Sequence, residues 1–318
     1  MVKTLYTEVC DILEIKYPIL QGGMAWVSDE YLVGAVSEAG CLGIIASGTA
    51  PGDWVETRII ETEKRTKKSF GVNVMLLSPF VDDIVDAILR HDSVKVVTTG
   101  AGNPAKYIEK FKSKGIKVIP VVASVAFAKR MEAIGADAVI AEGNESGGHV
   151  GQLNSMPLVP QIVDAVSIPV IAAGGIADGR GFVAAMALGA KGIQMGTRFI
   201  ASVECNISMK YKEKIISAND RSTVVTGRIT GHPVRVAKNR LAREFMKLEA
   251  EGANKEQLEE FGKGKLRLAA KDGDVRNGSV MMGQCAGIVN DVKPVKDIIS
   301  DIIEQAEIII KRLYIHET

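Results

Sequence analysis

Eight short runs of β-branched and small apolar residues recur through the first two-thirds of the chain, at 18–21, 42–46, 71–75, 94–98, 118–122, 138–141, 169–172 and 192–195. Each run is continuously apolar rather than alternating, the pattern of a strand covered on both faces in a parallel sheet. Helix-like stretches lie between them at 29–39, 104–114, 126–134 and 182–188, and stop at Gly40, Gly115, Gly135 and Gly189. A glycine just past the last periodic residue is the usual left-handed helix stop. Eight strand–helix units predict an α/β chain closed into a (β/α)8 TIM barrel rather than an open doubly wound sheet. No GxGxxG follows the first run, which counts further against a Rossmann domain. A length of 318 residues suits one elaborated barrel.

The alternation stops after about residue 202. Residues 206–273 read as helices, roughly 234–251 and 255–271, joined by polar turns. A glycine- and methionine-rich stretch at 277–289 and a long amphipathic helix at 295–313 follow. The expected organisation is a barrel from 1–204 plus 274–318, with a small, mainly helical cap inserted at 205–273. The formal net charge of +1 gives no global field that would point to nucleic acid or a membrane. Lys3, Glu8, Asp11, Glu14 and Lys16 interrupt any apolar run of signal-peptide or membrane-span length at the start. Cys10, Cys41, Cys205 and Cys285 are scattered, with no CxxC pair and no zinc spacing. Buried thiols, a reducing cytoplasmic compartment and no structural metal are expected.

In such barrels the working face is the C-terminal end of the strands. Here those positions carry Gln21-Gly22-Gly23-Met24, Gly48, Asn73, Thr99-Gly100-Ala101-Gly102, Ser124, Glu142-Gly143, Gly174-Gly175 and Gly196-Thr197. A rim of glycines suggests backbone amides closely approaching a flat ligand. The turns after runs seven and eight are where many barrels bind phosphate through backbone N–H groups, and a Cβ there would hold the oxygen away. Ordinary turn glycines are the competing reading. Phosphate alone does not specify the ligand, since sugar-phosphate isomerases use the same place. His149, in the glycine-rich loop 142–151 on the same face, is the candidate acid or base. His91 and His316 read as surface residues, and His232 stays open. No strand end offers a Schiff-base lysine, because Lys95, Lys117 and Lys191 lie at strand starts.

These stretches together resemble one family, the FMN-dependent enoyl-acyl-carrier-protein reductases of bacterial fatty-acid synthesis, itself similar to the nitronate monooxygenases. The resemblance covers nearly the whole chain. It rests on residues 17–26, 71–80, 96–104, 138–143 with Gly147-Gly148-His149, and 168–179. The resemblance implies FMN on the rim, with its phosphate on Gly174, Gly175, Gly196 and Thr197. The ring would lie near Gly22, Gly23, Met24 and Asn73, beside Gly147 and Gly148, with Glu142 among the cofactor contacts. It implies reduction by NADH or NADPH, hydride transfer to the β-carbon of a trans-2-enoyl thioester, and His149 positioning the substrate or protonating its α-carbon. In the monooxygenase branch the same imidazole would deprotonate a nitroalkane. A monovalent cation and a homodimer belong to the reductase branch as well.

From Arg221 to Arg243 the cap holds six basic residues and no acidic one. Arg235, Lys238 and Arg240 are the candidates for steering an acidic acyl carrier protein; a solvated helix face is the alternative. Three readings therefore compete: an enoyl reductase, a nitronate monooxygenase, and a flavin-free phosphosugar isomerase or aldolase barrel.

Overall fold

The computed structural model describes residues 5–314, so His316 lies outside the described residues. The strands are β1 (Ile19–Gln21), β2 (Gly43–Ala46), β3 (Phe70–Met75), β4 (Val94–Gly100), β5 (Lys117–Val122), β6 (Val139–Glu142), β7 (Gly148–His149), β8 (Val170–Ala173), β9 (Gly192–Met195), β10 (Thr223–Thr226) and β11 (Val234–Ala237). The helices are α1 (Glu8–Leu13), α2 (Glu30–Glu38), α3 (Gly52–Arg65), α4 (Val81–Leu89), α5 (Ala105–Ser113), α6 (Val125–Ala133), α7 (Ser155–Val163), α8 (Gly179–Ala187), α9 (Thr197–Ile200), α10 (Met209–Ile216), α11 (Arg240–Ala250), α12 (Lys255–Gly262), α13 (Lys265–Ala270) and α14 (Val295–Tyr314).

Eight strands pair in parallel in the order β1-β9-β8-β6-β5-β4-β3-β2. Backbone bonds from Gln21 to Leu42 at 2.9 Å and from Leu42 to Ile19 at 3.0 Å join the two ends, so the sheet closes as the TIM barrel the sequence predicts. All eight predicted runs are strands of this barrel. Their apolar continuity has the expected cause. One face of each strand meets the helix layer, and the other fills the barrel with Leu20, Ile44, Val96, Ile119, Ile140 and Ile171. Val9, Cys10 and Leu13 of α1 join that inner core. Among the described residues no helix is long and apolar enough to cross a membrane.

Residues 205–273 depart from the predicted helices. Instead of beginning a helix at 234, residues 234–237 form β11, which pairs antiparallel with β10 and with β7 of the barrel loop. The following helix starts only at Arg240, where the Asn239 side chain accepts from the Ala242 amide at 2.9 Å. The second predicted helix is broken into α12 and α13 at Gly264, whose φ is +73°. At the other end, α14 lies across α8, and the Gly179 amide donates to the Gln305 side chain at 3.2 Å.

Gly43 measures how tightly helix packs on strand: a Cβ there would overlap the carbonyl oxygen of Val33 in α2. Gly43→Ala is expected to cost ~1–3 kcal/mol, as overpacking does. Gly100→Ala, where nothing lies within 4 Å of the added carbon, should stay within ~0.5 kcal/mol. Urea midpoints of the two variants check this, and equal losses would contradict the packing account.

Candidate active site

Side-chain alternation decides what the barrel presents at its mouth. Two residues beyond the inner-core positions of β1, β4, β6 and β8 come Gly22, Thr98, Glu142 and Ala173. The Asn73 amide donates to the Thr98 hydroxyl at 3.0 Å. A Cβ on Gly22 would come within 3.2 Å of the Gln194 side chain, and one on Gly23 would overlap Asn73. The Met24 sulfur sits 3.2 Å from where a Cβ on Gly196 would lie. The structure therefore brings Gly22, Gly23, Met24, Asn73 and Gly196 together, floored by Gln194 and Glu142.

Beside this floor, Gly174 and Gly175 follow β8 with φ of +97° and +76°, a region side chains avoid. A Cβ on Gly174 would stand 3.0 Å from the Gly143 carbonyl and from the Ser146 and Ser155 hydroxyls. Gly196 and Thr197 follow the adjacent strand β9. Among the described residues no protein group accepts from the amides of these four residues. Backbone amides freed at a glycine turn suit an anionic oxygen. The nearest acid, Glu145, accepts from the Ser155 amide at 2.9 Å and the Ser155 hydroxyl at 3.0 Å, and Arg235 faces it electrostatically. The cradle thus offers uncharged donors.

Glu142 is only partly covered by area, yet dense protein surrounds its carboxyl. Burial raises it to about 7, opposed by a hydrogen bond with Ser146. His149 stands on β7, open to the mouth but partly desolvated. Desolvation, then the charge of His232, lowers its pKa. Gly147 lies against the returning segment, where a Cβ would meet the Met282 carbonyl carbon at 2.6 Å, and Gly148 takes φ of +84°. The Gly283 amide donates to the Thr197 hydroxyl at 2.9 Å, pinning that segment over the site.

A cavity of about 390 Å³ leads from this mouth into the cap. His149, His232, Met75 and Met281 line one part, and Leu241, Phe245, Leu258 and Leu266 of the cap helices another. That size falls within the usual range for small-molecule pockets.

The basic cap residues divide. Arg235 is 6% exposed. Its Nε donates to the Asn144 carbonyl at 2.9 Å, one Nη to the Asn144 side chain at 2.6 Å and the other to Thr223 at 3.1 Å. This corrects the steering role expected of Arg235: its guanidinium braces the His149 loop from inside. Lys238 and Arg240 are exposed as expected, Arg240 paired with Glu244 at 2.6 Å. His91 is half-buried rather than a surface group, between Glu63 at 3.2 Å and Glu56 at 3.3 Å. The cysteines are free, three buried and Cys285 intermediate. Sequence reasoning missed Gln194 and Ser155; strand parity could have found the first, while the second needs the loop geometry.

Comparison with known proteins places this geometry. The family model described as nitronate monooxygenase matches residues 7–92 and 78–305. FabK from Thermotoga maritima is 51% identical, with 98% of this chain and 100% of that one aligned at a TM-score of 0.96. An indene-carboxyl-CoA dehydrogenase of Rhodococcus jostii, named in full as (3aS,4S,5R,7aS)-5-hydroxy-7a-methyl-1-oxo-octahydro-1H-indene-4-carboxyl-CoA dehydrogenase, is 32% identical over 98% of this chain and 97% of that protein. A probable nitronate monooxygenase of Staphylococcus aureus is 35% identical over 92% of this chain and 95% of its own.

Glu142 yields a stability test. Between pH 4.5 and about 7 the folded protein keeps a proton on Glu142 that the unfolded chain has released. Stability therefore falls as pH rises through that window, by about 3 kcal/mol in all. Flavin-stripped Glu142→Gln, free of that penalty, is expected to melt higher than the parent at pH 8 and close to it at pH 4.5. The same melting difference at both pH values would show that Glu142 does not hold the proton.

Proposed function

The chain belongs to the nitronate monooxygenase family, and we propose that within it this protein is an FMN-dependent enoyl-acyl-carrier-protein reductase using a nicotinamide nucleotide. Members of the family are FMN-dependent flavoenzymes, and FabK is the enoyl reductase among them. The observation that carries the reading is the cap cavity: a polar end at His149 and His232 continues into apolar helix faces. That shape matches a reactive thioester head with a hydrocarbon tail, and exceeds what a small nitroalkane needs.

The residues at the mouth fit the cofactor on two counts: the free amides after β8 and β9, and the close backbone approach of Gly22, Gly23 and Gly196. In this reading Gly174, Gly175, Gly196 and Thr197 hold the phosphate. Gly22, Gly23, Met24, Asn73, Gly147 and Gly148 border the ring, with Glu142 below. Bound FMN supplies the hydride taken from the nicotinamide nucleotide. His149 orients the thioester and gives the α-carbon its proton; its lowered pKa makes the charged imidazole a readier donor. Lys238 and Arg240, with exposed Arg221, Arg228 and Arg243, draw the acidic carrier protein to the cap.

The test is anaerobic. NADH or NADPH should bleach the yellow protein, and an enoyl thioester on acyl carrier protein should restore the colour and yield saturated acyl product. His149→Ala should keep its flavin and form product ~10²–10⁴-fold more slowly. Turnover of nitronate in air, with no return of colour on adding the enoyl thioester, would overturn the reductase reading in favour of a monooxygenase.

A further inference from the structure

Two imidazoles stand at the mouth, and among the described residues neither has a carboxylate partner. Their rings are 6.4 Å apart and nearly perpendicular, at 84°. The arrangement is built by the chain rather than by rotamer chance. His149 pairs with Val234 across β7 and β11, and His232 lies two residues before Val234. A tight turn positions His232: its amide donates to the Thr230 hydroxyl at 3.2 Å, and that hydroxyl donates to the Gly227 carbonyl at 2.7 Å. His91 shows the contrast, since two glutamates hold its ring nitrogens.

The other charged groups nearby are engaged elsewhere or stand outside. Of the titratable side chains lining the cavity besides the histidines, Glu259 lies 3.7 Å from Lys255, and Lys265 stands over the Phe261 ring. Arg235 and Glu145 face each other behind β7, Arg228 is exposed on the turn that carries His232, and Glu249 accepts from the Gly227 amide of that turn at 3.0 Å. The group acting on the His149 charge is therefore His232.

Resting on the reductase reading, the chemistry makes the same demand on His149 at every turnover. Saturating the enoyl double bond adds a hydride to the β-carbon and a proton to the α-carbon, and oxidises one nicotinamide nucleotide. The new α-carbon–hydrogen bond takes its proton from His149 and leaves that imidazole neutral. One proton per turnover must then return to His149 from solvent.

We propose that His232 is the proton port of this site, taking a proton from solvent and passing it to His149 after each turnover. Its position suits that role, because the ring is solvent-exposed, stands on the cavity wall and lies edge-on to His149. Two adjacent imidazoles resist being charged together, so a proton is handed inward once His149 has given up its own. His232 is thus a positioning and relay residue acting through His149.

The experiment uses the flavin-loaded protein and His232→Phe, with His232→Gln as a second variant should the aromatic ring disturb the turn. Flavin reduction by the nicotinamide nucleotide, which draws no proton from His149, should fall less than product formation. Product formation from the enoyl thioester should fall ~10-fold or more, with a larger solvent deuterium isotope effect and partial recovery on adding free imidazole. Nuclear magnetic resonance titration of the ring protons gives a readout independent of turnover: the His149 midpoint should rise in either variant, because a like charge has been removed. An unchanged rate and isotope effect in a parent that reduces enoyl thioesters would overturn the proposal. So would a His149 midpoint indifferent to residue 232, even in a protein found to act on another substrate.

Discussion

The antiparallel contact between β7 and β11 holds the mouth in shape. The ladder pairs Gly148 with Arg235 and His149 with Val234, and the Val150 amide extends it by donating to the Pro233 carbonyl at 3.0 Å. So short a ladder is a weak tie by itself, and Arg235 adds to it. Its buried guanidinium bonds twice to Asn144 and once to Thr223, so one side chain fastens the start of the His149 loop to both strands of the cap hairpin. Burying a charge there costs several kcal/mol unless it is compensated; three hydrogen bonds and the facing charge of Glu145 offset it. Glu145 in turn ties to Ser155 at the start of α7, and its carbonyl accepts from Gln284 at 2.9 Å. One ion thus links barrel loop, cap and returning segment.

How much of this could be read in advance follows from what each element must bury. The eight barrel strands were legible because both faces are covered, which leaves an unbroken apolar signature that flanking polar residues cannot mask. The β10–β11 hairpin was not. Its strands are four residues each, too short for period-two alternation to stand out, and the Arg-rich surroundings resemble an exposed helix. Arg235 misled for the same reason, since a charged residue among other basic ones is by default solvated. Its parity said otherwise. Val234 and Val236 line the cavity, so the residue between them points to the opposite side, which the barrel loop covers. At the mouth, glycine positions marked where the backbone turns tightly because backbone constraint is written in residue type. Which glycines meet, and that Gln194 and Ser155 join them, depends on register across the closed sheet.

The charge state of the mouth follows from these contacts and bears on what it can hold. Burial holds the Glu142 carboxyl up at about 7 and disfavours the charged form of His149. Asn73, Thr98 and Gln194 are neutral, and Glu145 is balanced by Arg235. The glycine turns after β8 and β9 offer backbone amides as donors. A floor of this kind presents hydrogen-bond donors and acceptors with little net field, suited to a flat heterocycle with a polar edge and to a thioester carbonyl. Charge able to act at a distance is displaced to the outer face of the cap, at Lys238, Arg240 and their neighbours. There it acts on what approaches the cap from solvent, where salt screens charge over about one Debye length, ~8–10 Å. Substitution on that outer face changes the field met by an approaching molecule, whereas a change of interior charge acts on the Glu142, Glu145, His149, His232 and Arg235 set.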